Sequence, residues 1–236
     1  MKKLFFLLIL SSTFYAQQFK EVKTAQDVID NHVTAIGGAD ALRQVTSIKM
    51  EGSIEISGTP APILYYVSNE SYYVGVESVQ FTFKTCYDGK NKTGWSQFGE
   101  KVTDFTEAQS KRTGESIVSL LWGYVLDPQK YNIVYKQLQD EKLNDADVYV
   151  IEFTRADTTV GTSYYDKKTF MQVKEIRGRN ETENSDFKSV TALDDSKIMM
   201  PFSIKQQGTV IVKKYEFNKK LSKKYFKKPE QKEEGK

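Results

Sequence analysis

From residue 131 to residue 217 strand-length runs rich in Val, Ile, Thr, Tyr and Phe alternate with short turns. The runs fall at 131–138, 148–155, 159–165, 170–177, 186–193, 197–205 and 209–217. Asn144-Asp145, Ala156-Asp157, Asp166-Lys167, residues 180–184, Asp194-Asp195 and Gln207-Gly208 separate them, and such residues favour turns. None of the gaps can hold the crossover helix that a parallel pair needs. The pattern therefore predicts one antiparallel meander and excludes a βαβ architecture.

The first half of the chain adds helices to that sheet. Thr24 and Asp27 form a capping box, and Val28, Ile29, His32, Val33 and Ile36 follow at helical spacing. Gly37-Gly38 then offers a left-handed stop before a second short helix. From Ile48 the period changes to two. Ile48, Met50, Gly52, Ile54 and Ile56 face one way, and Lys49, Glu51, Ser53 and Glu55 the other. Further strands are predicted at 63–67, 72–76, 79–87 and 93–98, with a hairpin from Asp88-Gly89 through Asn91. The total is eleven or twelve strands with two or three helices. This is an α+β chain whose single antiparallel sheet is large enough to curl into an incomplete barrel. Nothing resembles a linker or an internal repeat, so residues 17–228 read as one domain.

One segment interrupts the strands. Thr106 and Gln109 make a second capping box, so residues 107–126 are predicted helical, with a break at Gly114 and a stop at Asp127-Pro128. The second half, IVSLLWGYVL, is apolar on nearly every side, and such a helix must be covered on every side. It either lies inside the concave face of the sheet or plugs something that opens. With 14 Tyr and 14 Phe, several on both faces of their strands, the curled sheet encloses a greasy cavity or a filled core. Patterning leaves both readings open.

Lys2 and Lys3, the apolar run Leu4 to Leu10, and then Ser11, Ser12 and Ala16 have the order of a secretory signal peptide cut after residue 16. The apolar run is far shorter than the ~20 residues of a spanning helix. A soluble, exported chain is the expectation. Net charge is +3, but residues 219–236 carry +5 and leave 17–218 near −4, which excludes the basic surface of a nucleic-acid binder. Residues 229–236 read as a charged, disordered tail, with contact to anionic headgroups as the sharper alternative.

Groups suited to covalent chemistry are sparse. Cys86 is the only cysteine, which excludes an internal disulfide and reads as a buried strand residue. His32 is the only histidine and sits on the apolar stripe, where packing with one satisfied ring nitrogen is the default. No GxSxG, HExxH, GxGxxG or phosphate loop occurs. Asp194-Asp195, and Asp145 with Asp147, read as turn residues before acid–base pairs; Glu152, inside an apolar strand, is the remaining titratable candidate. The expectation is a protein that is not an enzyme and needs no cofactor or metal.

Four stretches in order resemble one family. DVIDNHVTAIGGADALRQVTSIKMEGSI carries a "helix, Ile-Gly-Gly, Leu, strand, Gly" opening, and YDGKNKTGW an aromatic-Asp-Gly then Trp hairpin. YYDKKTFMQVKEIR pairs strands around an Asp-x-x-Thr turn, and MMPFSI with VIVKKYEFNKKLSKKYFKKP closes in Phe226-x-x-Pro229. Together they resemble the LolA-like outer-membrane lipoprotein-sorting proteins of Bacteroidetes-type bacteria. The resemblance implies an incomplete barrel closed by helices over an apolar cavity, which carries lipoprotein acyl chains or another lipid through the periplasm. It also implies an inner-membrane release complex and an outer-membrane acceptor as partners, a monomeric carrier, and an arginine that holds the lid, matched here by no particular residue. The candidate cavity and lid residues are Tyr65, Phe81, Phe83, Trp95, Ile117, Leu120, Leu121, Trp122, Val125 and Phe153. The competing readings are an envelope binding or structural protein of the same fold without transport, and a hydrolase.

Overall fold

Thr24 caps the first helix as its spacing predicts: its hydroxyl accepts from the Asp27 amide while the Asp27 carboxylate accepts from the Thr24 amide. The computed structural model describes residues 19–56, 58–79, 81–155, 158 and 160–230; the predicted signal peptide and residues 231–236 of the predicted tail lie outside them. Helix α1 (Ala25–Ala35) buries Val28, Ile29 and Val33, and the short α2 (Ala39–Arg43) buries Leu42. Val28 and Ile29 are fully buried, each worth about 1.5–3 kcal/mol of transfer free energy. Between the helices, Gly37 has φ +134° and lies so close to the next layer that a Cβ would stand 2.6 Å from the Lys197 carbonyl oxygen. That close approach lets the Ile36 carbonyl accept from the Met199 amide at 3.0 Å, fixing the helix to the sheet.

Six strands follow: β1 (Ser47–Ile56), β2 (Thr59–Ser68), β3 (Ser71–Glu77), β4 (Thr82–Asp88), β5 (Thr93–Phe98) and β6 (Lys101–Asp104). The helices α3 (Glu107–Leu120) and α4 (Gly123–Leu126) interrupt them. The chain then returns through β7 (Val134–Gln137), β8 (Glu141–Leu143), β9 (Ala146–Thr154), β10 (Val160–Asp166) and β11 (Gln172–Arg177). It ends in β12 (Asn180–Thr191), β13 (Lys197–Lys205) and β14 (Thr209–Phe217). All pair antiparallel in one 14-stranded sheet of order β6-β5-β4-β3-β2-β1-β14-β13-β12-β11-β10-β9-β7, with β8 on β9. First and last strands meet, Ile48 opposite Phe217, so the two halves of the chain are two wings hinged on one central pair. The sheet does not close: β6 and β7 are its two ends, and α3–α4 is the chain that joins them.

One face of the sheet holds α1, α2 and the main core, which includes Ile48, Met50, Val67, Ile151, Ile198 and Val212. On the opposite face Tyr66, Tyr73, Cys86 and Trp95 stand in register across β2, β3, β4 and β5. Leu221, Tyr225 and Phe226 cover that row, with the Tyr225 ring 5.3 Å from Tyr73 and Phe226 6.0 Å from Tyr66. Part of the basic stretch is therefore an ordered strap through residue 230, because three apolar side chains among its lysines have a surface to bury against.

The strand total exceeds the predicted eleven or twelve because β6 and β8 are too short to show a period of two. Residues 180–184, predicted as a turn, begin the twelve-residue β12; the turn is made earlier, at Gly178, whose φ is +59°. Helix α3 runs unbroken through Gly114, and the break falls at Trp122, whose φ of 59° is left-handed. The two helices are thus set by a strained tryptophan rather than by a permissive glycine. Among the described residues no helix is long and apolar enough to cross a membrane.

Candidate functional site

Four neighbouring strands place one row of side chains toward the helices. Tyr135 lies opposite Phe153, Phe153 opposite Gly161, and Gly161 opposite Arg177. A Cβ on Gly161 would stand 2.4 Å from the Phe153 ring, so glycine is what lets that ring lie across β10. The Arg177 guanidinium then sits over the ring, 5.4 Å from its centroid. Arg155, two residues after Phe153 and of the same strand parity, reaches the same ring at 5.9 Å and the Tyr124 ring at 5.5 Å.

This row seats the helix pair. Arg177 Nη2 donates to Ser119 Oγ in the last turn of α3 at 2.9 Å, and Tyr135 Oη donates to the Tyr124 carbonyl of α4 at 3.2 Å. From the outside, Arg43 donates to both carboxylate oxygens of Asp127, at 2.9 and 2.8 Å, and to the Leu126 carbonyl at 3.1 Å. The bidentate pair raises the Arg43 pKa and lowers that of Asp127. Gly123 lets the two helices meet, since a Cβ there would stand 2.6 Å from Val118 Cγ1.

Beneath them lies a cavity of about 290 Å³. Its apolar wall includes Ile36, Leu120, Trp122, Val125, Phe187 and Met199. Its other side is polar: Gln172 Nε2 donates to Ser163 Oγ at 2.9 Å and to Glu175 Oε2 at 3.2 Å, and Glu175 pairs with Arg177. Burial, and then the Arg155 charge, pull the Arg177 pKa down to about 10, so it stays cationic at neutral pH. His32 also lines the cavity. Burial lowers its pKa to about 4, and its Nδ1, 2.9 Å from the Phe170 carbonyl, donates as N–H, leaving Nε2 an acceptor.

Of the residues named from sequence, Leu120, Trp122, Val125 and Phe153 come together around this cavity. Ile117 and Leu121 are buried in the core beside it, and Tyr65 packs against that core with its ring 5.6 Å from Tyr72. Trp95 is on the other side of the sheet, in the row under the strap, because its strand parity matches Cys86. Phe81 pairs with Phe98 at 5.3 Å, and Phe83 lies opposite Phe98; neither reaches the cavity lining. Cys86 is buried, with its thiol pushed up to about 12 by that burial, and is no nucleophile at neutral pH. Glu152 points away beside Lys136 at 3.9 Å. Among the described residues no three His, Cys, Asp or Glu side chains cluster as metal ligands. Sequence reasoning missed Ser163, Gln172, Glu175 and the role of Arg177. Glu175 and Arg177 share the parity of inward residues, but only the register against β10 reveals it.

The chain matches no protein-family model and no curated protein. Among solved structures it is similar to an outer membrane lipoprotein-sorting protein domain from Vibrio parahaemolyticus, at 14% identity and a TM-score of 0.48, covering 86% of this chain and 95% of that one. It is also similar to a LolA superfamily protein from Nitrosomonas europaea, at 17% identity and a TM-score of 0.48, covering 88% and 99%. A DUF1329 family protein from Desulfovibrio piger aligns at 12% identity and a TM-score of 0.44, covering 87% and 98%.

Proposed function

We propose that this chain is a periplasmic lipid carrier that takes acyl chains into the cavity under α3–α4 and releases them toward the outer membrane. One observation carries the reading. The segment that joins the two open ends of the sheet is a helix pair whose apolar side roofs a cavity and whose attachments to its seat include a few side-chain hydrogen bonds. Opening that roof costs those bonds, each worth about 0.5–1.5 kcal/mol net, together with apolar burial such as that of Ile117 and Leu121, while the sheet stays whole. Transfer between apolar compartments needs no covalent step, since each buried CH₂ contributes ~0.8 kcal/mol. At about 290 Å³ the cavity is at the small end of ligand sites, so cargo larger than a single chain segment requires the helices to move outward. The sequence resemblance supplies the direction of transfer.

The competing reading is an envelope scaffold of the same fold. Ile117 and Leu121, buried beside the cavity at 4% and 9% exposure, favour it, since they anchor the helix pair. Native mass spectrometry of the exported protein separates the two. Co-purified lipid, displaced by added fatty acid, is expected of a carrier. A lipid-free protein that takes up no acyl chain in any test leaves the scaffold.

A further inference from the structure

The cavity is not uniformly greasy. Arg177 and Glu175 line it as an ion pair beside Phe153, and the Arg155 guanidinium, which is not itself in the lining, stands 5.9 Å from the Phe153 ring centroid. Glu175 is already engaged, by Arg177 and by the Gln172 amide. Among the described residues, Arg155 Nε is buried without a hydrogen-bond partner. Two cations against one carboxylate, among the described residues, leave an excess positive charge beside an apolar wall, where water screens it poorly. A buried donor without an acceptor is costly, so the Arg155 charge is poorly compensated where it stands.

Resting on the carrier reading, we propose that the cavity selects amphiphiles with an anionic head, held by Arg177 and favoured by the nearby charge of Arg155, with the chain lying along Ile36, Leu120, Trp122, Val125 and Met199. The head chemistry is a carboxylate or phosphate oxygen, because guanidinium donors match both in fork geometry. Positive charge at the head position disfavours a cationic amphiphile and gives a neutral one no partner. Ser119 joins the same group of donors. When an anion takes Arg177, the bond from Arg177 to Ser119 competes with it, so head binding loosens the roof at α3. Loading and unlatching thereby share one side chain.

The test compares oleate, oleoyl lysophosphatidate and oleyl alcohol, each below its aggregation concentration, by displacement of a fluorescent fatty-acid analogue from the full exported chain. One or both anions are expected to bind about tenfold or more tighter than the alcohol, and that ratio to fall with added salt. Which anion leads distinguishes a free fatty acid from a phosphate-headed lipid. Arg155→Gln and Arg177→Gln are each expected to reduce the ratio toward one; with Arg155 outside the roof contact to Ser119, its variant keeps the test readable if Arg177→Gln misfolds. Equal binding of all three lipids overturns the head-group inference and leaves the carrier reading standing. Binding of none overturns both.

Discussion

Arg177, at the end of β11, and Ser119, in the last turn of α3, are joined by a 2.9 Å hydrogen bond across 58 residues of chain. It ties the inner surface of the sheet to the roof of the cavity. Its outer counterpart is the bidentate pair of Arg43 and Asp127 at the end of α4. Ser119→Ala removes the inner tie without adding bulk. Loading of a fluorescent fatty acid, followed by stopped flow, is expected to speed up several-fold, while stability to urea drops by about 1 kcal/mol or less. An unchanged loading rate would mean that entry does not pass under α3. Asp127→Asn weakens the outer tie, and amide exchange in residues 123–127 is expected to rise with little change elsewhere.

Trp122 is at once the wall of the cavity and the hinge between the helices. Trp122→Asp places a charge against the acyl chain. Lipid binding measured by native mass spectrometry should fall at least tenfold, with the far-ultraviolet spectrum retained. Binding at full strength in this variant would place the cargo elsewhere.

His32 makes stability depend on pH. Its folded pKa, lowered by burial to about 4, lies below the unfolded value of 6.5, so the unfolded chain binds the extra proton first as the medium becomes acidic. Stability is therefore intact above pH 6.5 and is lost as pH falls toward 4, by about 3 kcal/mol in total. Urea midpoints from pH 7 to pH 4 should show this slope, and His32→Gln should flatten the part that His32 contributes.

The strap on the far side of the sheet is structural, not part of the site. Ending the chain after Asn218 uncovers Tyr66, Tyr73 and Trp95. The melting temperature should drop and a hydrophobic dye should bind, because a continuous apolar patch is exposed. Lipid affinity should persist in the fraction that remains folded, since no strap residue lines the cavity. Loss of lipid binding from that folded fraction would show that the two faces are coupled.

The sequence by itself determined the local pieces: both capping boxes, the Gly37-Gly38 stop, the alternation of β1 and the antiparallel meander that follows from short turns. Each is set by neighbours within a few residues, which is where capping, turn chemistry and side-chain parity act. It also marked Leu120, Trp122, Val125 and Phe153, because apolar side chains without a polar alternation must find cover. Only the tertiary structure decided that Trp95 faces the strap and Arg177 the cavity. A strand's alternation says that two faces exist, and not which of them is roofed; that depends on pairings such as Gly161 with Arg177 and on a helix that returns from far along the chain.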